Sequence, residues 1–70
     1  EGLYFTALCY YNGEGVPQNY SDAVKWYKLA ANQGHTKAQF QLGMLYKKGL
    51  GVAQDYAEAT RWLKQSIGGE

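Results

Sequence analysis

The 70-residue chain has one cysteine, one histidine, one proline and one methionine. A single cysteine, Cys9, cannot close an internal disulfide or build a thiolate metal cluster. With His35 as the sole histidine, no Ser or Cys has an imidazole at a spacing that helices would bring to it. Long apolar runs are absent, and the longest fall far short of the roughly 20 residues a membrane-spanning helix needs. Charge of one sign is also lacking. Seven Lys+Arg against six Asp+Glu leave a formal +1, which gives no field for non-specific nucleic-acid binding and no acidic tail. No basic start precedes an apolar core and a small-residue cleavage site, so there is no signal-peptide pattern. The chain is one small domain at most, and a domain this size buries only about 60% of its unfolded surface. That excludes a large enclosed pocket backed by a multi-residue catalytic apparatus.

What the chain does have is apolar and aromatic bulk. Hydrophobic residues make up 46%, and seven Tyr and two Trp lift aromatics to 16%. Such a chain folds, with much of its core aromatic. It opens on Glu1 rather than Met, directly in an apolar helical pattern, which is expected of a piece, or a processed form, of something longer.

Self-similarity decides the architecture. Shifting the chain by 36 residues aligns Tyr10 with Tyr46, Gly13 with Gly49, Gly15 with Gly51, Val16 with Val52 and Gln18 with Gln54. It also aligns Tyr20 with Tyr56, Ala23 with Ala59, Trp26 with Trp62 and Lys28 with Lys64. These are 9 identities in 34 overlapping positions, where ordinary composition gives roughly two. Tyr4 with Phe40, Leu8 with Met44, Asp22 with Glu58 and Lys25 with Arg61 are conservative pairs. The sequence is two copies of one unit.

Each unit reads as two helices. Ala38, Leu42, Leu45 and Tyr46 follow the spacing of one helical face, and Thr36 is a plausible N-cap for that helix. Gly49 stops it, and the second glycine at Gly51 allows a sharp reversal. Val16 and Val52 are expected to plug the base of each turn. Asn19 with Asp22, and Asp55 with Glu58, place a cap and an acid at the start of each second helix. Ala23, Trp26, Tyr27 and Ala30 form one face of that helix, as do Ala59, Trp62, Leu63 and Ser66. Gly34 and Gly68-Gly69 end the two second helices. The expectation is all-α: an α-α superhelix of two stacked helix-turn-helix repeats with four antiparallel helices. Repeat 1 spans 1–34, with helices at about 2–11 and 20–33. Repeat 2 spans 37–70, with helices at about 36–48 and 55–67.

The run Ala38-x-x-x-Leu42-Gly43-x-x-Tyr46-x-x-Gly49-x-Gly51-Val52-x-x-Asp55-x-x-x-Ala59-x-x-Trp62 resembles the Sel1-like repeat. The first unit carries Tyr10, Gly13, Gly15, Val16, Ala23, Trp26, Ala30-Ala31 and Gly34 at the same spacing. The departures are Gly2 for Ala, Thr6-Ala7 for Leu-Gly, Asn19 for Asp, and Ser66-Ile67 for the Ala-Ala pair. The resemblance implies a relative of the tetratricopeptide repeat, an α-solenoid whose members act as adaptors.

The residues that could carry chemistry have plainer uses. Cys9 reads as a small core residue with no cationic neighbour to activate it. His35 reads as a solvated turn residue. Gly13-Glu14-Gly15 and Gly49-Leu50-Gly51 lack the third glycine, the Gly-Lys-Ser/Thr and the preceding strand of a phosphate loop. Trp26 and Trp62 read as core wedges. No catalytic, metal-binding or cofactor residues are expected.

One feature points outward. Tyr4, Leu8, Phe40 and Met44 are apolar but lie off the packing stripe. In the fold that the resemblance implies, this face lines the concave surface. Tyr4, Leu8, Tyr11, Asn12, Phe40, Met44, Lys47 and Lys48 would form a groove for a protein or peptide with an apolar anchor and an acidic flank. The expected function is a non-enzymatic interaction scaffold. The alternatives are contacts with neighbouring repeats or self-association in a purely architectural segment, or a β-lactam-binding or hydrolysing enzyme, as suggested for cysteine-rich relatives. No nucleic-acid or membrane partner is expected.

Overall fold

The computed structural model describes residues 2–68. They form α1 (Gly2–Asn12), α2 (Tyr20–Asn32), α3 (Thr36–Lys48) and α4 (Tyr56–Gly68). No strand occurs among the described residues. α1 packs on α2, α2 on α3 and α3 on α4. Two helical hairpins therefore stack into a flat slab whose Cα atoms span 34 × 25 × 13 Å.

Side chains at the helix starts satisfy the orphan amides. Asn19 Oδ1 accepts from the Asp22 N–H and Asp55 Oδ1 from the Glu58 N–H, both at 3.1 Å. The start of α3 differs from expectation. Thr36 is already helical, and the cap is His35, whose Nδ1 accepts from the Ala38 N–H at 3.2 Å. An imidazole nitrogen with a free lone pair does here what a hydroxyl usually does. His35 is thus a half-buried structural residue and not a solvated one.

The helix ends explain identities that periodicity left without a role. Gly49 is left-handed at φ 71°, and its N–H and that of Leu50 both donate to the Leu45 carbonyl, at 2.8 and 3.0 Å. Gln54 Nε2 then reaches back to the Lys47 carbonyl at 3.0 Å, as Gln18 Nε2 does to Tyr11 at 2.9 Å. The Asp55 and Asn19 amides bond to the Tyr46 and Tyr10 carbonyls at 3.0 and 2.9 Å. The repeated glutamine is therefore a clasp holding each turn against the helix before it. Val52 packs partly on the core from this turn, and Val16 is half-buried. Gly68 is the last residue of α4, and Gly69 lies outside the described residues.

The core runs through both hairpins: Ala7, Ala23, Tyr27, Ala38 and Leu42 are fully buried, with Leu45 beside them. α3 and α4 pack closely at Gly43, where an added Cβ would lie 2.8 Å from Leu63 Cγ and 3.1 Å from the Ala59 carbonyl oxygen. The two tryptophans are not equivalent. Trp62 is buried at 7% exposure, whereas Trp26 is only half-buried. The first hairpin puts its bulk at Tyr27, where the second has Leu63. Cys9, expected in the core, is also only half-buried.

The joint between hairpins is made by α2 and α3. Gln39 is buried there, and its Nε2 donates to the Ala31 carbonyl at 3.1 Å. The second turn presses on the start of α2: a Cβ on Gly51 would sit 2.5 Å from the Tyr20 carbonyl carbon and oxygen. Gly15 has the same backbone sign, φ 78°, but nothing within 4 Å of an added Cβ.

Two stability tests follow from this packing. Trp62→Ala should cost about 3–5 kcal/mol and abolish the cooperative helical melt, with Trp26→Ala milder. Gly15→Ala should cost about 1 kcal/mol from backbone strain alone, and Gly51→Ala distinctly more. Equal thermal midpoints for the two alanine variants would show that the turn does not press on α2.

Candidate partner-binding face

The off-stripe residues of α1 and α3 occupy matched positions: Tyr4 with Phe40, Leu8 with Met44, Tyr11 with Lys47, Asn12 with Lys48. The structure brings only some of them together. Phe40 is 48% exposed although it lies mid-helix. With Tyr4 it lines a shallow depression of ≈ 470 Å³, together with Thr36, Lys37, Gln41, Ser66 and Ile67. A second depression, ≈ 460 Å³, shares Tyr4, Thr36 and Lys37 and adds Phe5, Gly34 and His35. The two form one trough across the start of α3. Exposed apolar bulk gathers here, from Phe5, Phe40 and Ile67.

The remaining expected groove residues lie elsewhere. Leu8 and Tyr11 are half-buried against the core, and Met44 is half-buried. Asn12, Lys47 and Lys48 are exposed near the far ends of α1 and α3, outside the trough. Spacing alone had not pointed to Lys37, His35 or Ile67 as trough residues. Their position depends on the α2–α3 turn and on the end of α4, both remote in sequence from the off-stripe pattern.

An aromatic row underlies the first half of this face. Tyr20 meets Tyr11 edge-on at 5.4 Å between centroids, Tyr11 meets Tyr27 at 6.3 Å and Tyr27 meets Tyr4 at 5.8 Å. Tyr4 then stacks on the His35 ring at 4.7 Å and 14°. Edge and stacked geometries are those the ring quadrupoles favour. The cap of α3 is therefore held by an aromatic of α1, which ties the trough to both repeats. In the second hairpin Lys47 stands where Tyr11 does, and Tyr56 is exposed where Tyr20 is half-covered.

Tyr27 sits at the centre of the row with no exposure, and its hydroxyl has no hydrogen-bond partner among the described residues. Burial pushes its pKa well above the ordinary value of 10.0, and the hydroxyls of Tyr4 and Tyr11 add to the rise. A raised folded-state pKa means that its contribution to stability is complete below about pH 10, the unfolded value, and is lost as pH rises further. The chain should therefore lose thermal stability progressively above about pH 10, and Tyr27→Phe should flatten that loss. At neutral pH the same variant removes an unsatisfied hydroxyl, and should be neutral or more stable by about 1 kcal/mol. Circular-dichroism melts of both proteins across pH 8 to 11 check the two expectations.

Comparison with known proteins places this geometry. The Sel1 repeat family model matches residues 1–35 and again 36–67. A protective antigen present in uropathogenic Escherichia coli strains, displaying an SLR fold, superposes with a TM-score of 0.94 at 46% identity. The match covers 96% of this chain and 14% of that one. A Sel1 repeat protein from Oxalobacter formigenes superposes with a TM-score of 0.93 at 37% identity, over 96% of this chain and 28% of that one. The chain thus spans well under a third of either neighbour's length. None of the curated proteins matches it significantly.

Proposed function

The chain belongs to the Sel1 repeat family, and from that premise we propose that it is a protein-interaction scaffold that grips a partner segment through the first-helix face. Helical repeats of this family serve generally as interaction scaffolds, and no catalytic step is assigned to this chain. The observation that carries the reading is Phe40: a large aromatic, half exposed in mid-helix, facing a depression that it shares with Tyr4 of the other repeat. An exposed aromatic rimmed by polar groups is the usual make-up of an interface anchor. Lys37 at the trough, and Lys47 and Lys48 beyond it, favour a partner with an apolar anchor and acidic flanks. Such charges act mainly on the rate of association and weaken with salt.

The cysteine-pair enzyme alternative has no support, since Cys9 is the only cysteine. The architectural reading keeps one supporting observation: the solved neighbours carry far more chain than the part this protein matches.

The test is selection of peptides from a random display library on the immobilised chain. Enriched peptides should pair an aromatic or large aliphatic residue with nearby acids. Phe40→Ala should keep the helical signal and weaken binding of those peptides by about 30-fold, the effect of losing about 2 kcal/mol at an anchor. Lys47→Glu should slow association and reduce its salt dependence. Peptides that bind Phe40→Ala as tightly as the parent would place the working surface elsewhere.

A further inference from the structure

α2, α3 and α4 all begin on a side-chain acceptor, and only one of the three is an imidazole. α2 is capped by the Asn19 carboxamide oxygen and α4 by the Asp55 carboxylate. α3 is capped by His35 Nδ1, which accepts from the Ala38 N–H at 3.2 Å. That bond needs a lone pair on Nδ1, so it exists only while the ring is neutral, with its proton on Nε2. A carboxamide does not titrate, and a carboxylate in ordinary surroundings gains its proton only near about pH 4. Imidazole is the side chain whose ordinary range lies between about pH 5 and 8. His35 is the sole histidine of the chain.

We propose that His35 is an acid-sensitive fastening between the two repeats, whose protonation uncaps α3 and loosens the first turn of that helix, where the trough lies. Protonation puts a hydrogen on Nδ1, so that two donors face each other, the ring N–H and the Ala38 N–H. It also adds positive charge at the positive end of the α3 dipole. Among the described residues, the titratable or charged groups around the ring are the Tyr4 phenol of α1, stacked on it, and the Lys37 ammonium of α3. α1 has no charged residue from Gly2 to Asn12, and neither the last turn of α2, Leu29–Asn32, nor Gln33-Gly34 carries one. No carboxylate of these segments therefore stabilises the imidazolium. The Tyr4 face attracts a cation, but it provides no acceptor for the Ala38 amide. The ring turns on its stack or leaves it, and the cap is lost both ways.

The position of His35 carries the effect further than one hydrogen bond. Its backbone N–H donates to the Ala30 carbonyl at 3.2 Å, and its carbonyl accepts from the Gln39 N–H at 3.0 Å. One residue thus finishes α2 and starts α3, while Tyr4 reaches it from α1. Thr36 and Lys37, the first residues after the cap, line both halves of the trough. The trough is fastened in neutral solution and slack in mild acid. The sign follows from the bond: its stabilisation is complete above the imidazole range and is lost as pH falls through that range. The device acts within the chain and does not depend on which partner the trough takes.

Proton–nitrogen NMR of the unmodified chain from about pH 7.5 down to about pH 5 tests this. The Ala38 amide signal should move with the midpoint of the His35 ring signals. The Asp22 and Glu58 amides, capped by Asn19 and Asp55, should not follow that midpoint. Over the same span the thermal midpoint should fall by about 4–8 °C, the shift that loss of one cap gives in a domain of this size. His35→Asn supplies an acceptor that does not titrate. It should melt near the parent at the neutral end and keep that midpoint at the acid end. His35→Ala should melt low at both ends. The Ala38 signal needs no variant to be read, so it decides the matter even if either substitution unfolds the chain. An Ala38 amide that ignores the His35 titration, a parental midpoint that does not fall, or an acid loss that His35→Asn shows in full would overturn the proposal.

Discussion

The structure depends on one joint, the contact of α2 with α3. A single helical hairpin of this kind has two apolar flanks and can cover only one by folding on itself. The second must be covered by a neighbour, and stability then comes from hairpins plus the interfaces between them. In this chain Val24 and Ala31 of α2 and Ala38, Leu42 and Leu45 of α3 are buried in one continuous cluster with Tyr27. The buried Gln39 ties it to the backbone of α2, and the second turn closes it at Gly51. Away from the joint burial thins out: α1 has a single buried residue, Ala7, and α4 has Ala59 and Trp62.

The same dependence gives the functional face its form. Tyr4 belongs to the first repeat, yet it stacks on His35, the cap of the second repeat's first helix. Phe40 stands one turn into that helix, facing the depression it shares with Tyr4. The trough exists because the joint sets the two first helices side by side. A partner that fills it reads the spacing of the repeats as well as their side chains. The aromatic row beneath Tyr4 and Tyr11 stiffens the first half of the face, while Lys47, in Tyr11's place, leaves the second half charged and open.

Much of the fold was legible because the 36-residue repetition counts every signal twice. Gly49 and Gly51 as turn residues, Asn19 and Asp55 as caps, and the all-α stack all came from that comparison. What stayed hidden depends on contacts that spacing does not encode. Gln18 and Gln54 were visibly repeated, but that they clasp the preceding helix is a matter of a side chain reaching seven residues back. His35 was set aside because a lone loop histidine offers no pattern, and Thr36 was the more familiar cap. Trp26 and Trp62 are one residue type at one register position, yet Trp62 is buried and Trp26 only half-buried, a difference that spacing does not carry. At the trough, sequence showed Phe40 and Tyr4 but not Ile67 or Lys37, which arrive from an element end and a turn.

The central claim is that the α2–α3 joint is the seat of stability. Residue-resolved amide hydrogen exchange at low protein concentration tests it most directly, because exchange reports the free energy of opening each segment. Protection should be greatest from Val24 to Ala31 and from Ala38 to Leu45, and should fall off through α1 and the second half of α4. Equal protection of all four helices, or α2 and α3 opening before α1, would contradict the account.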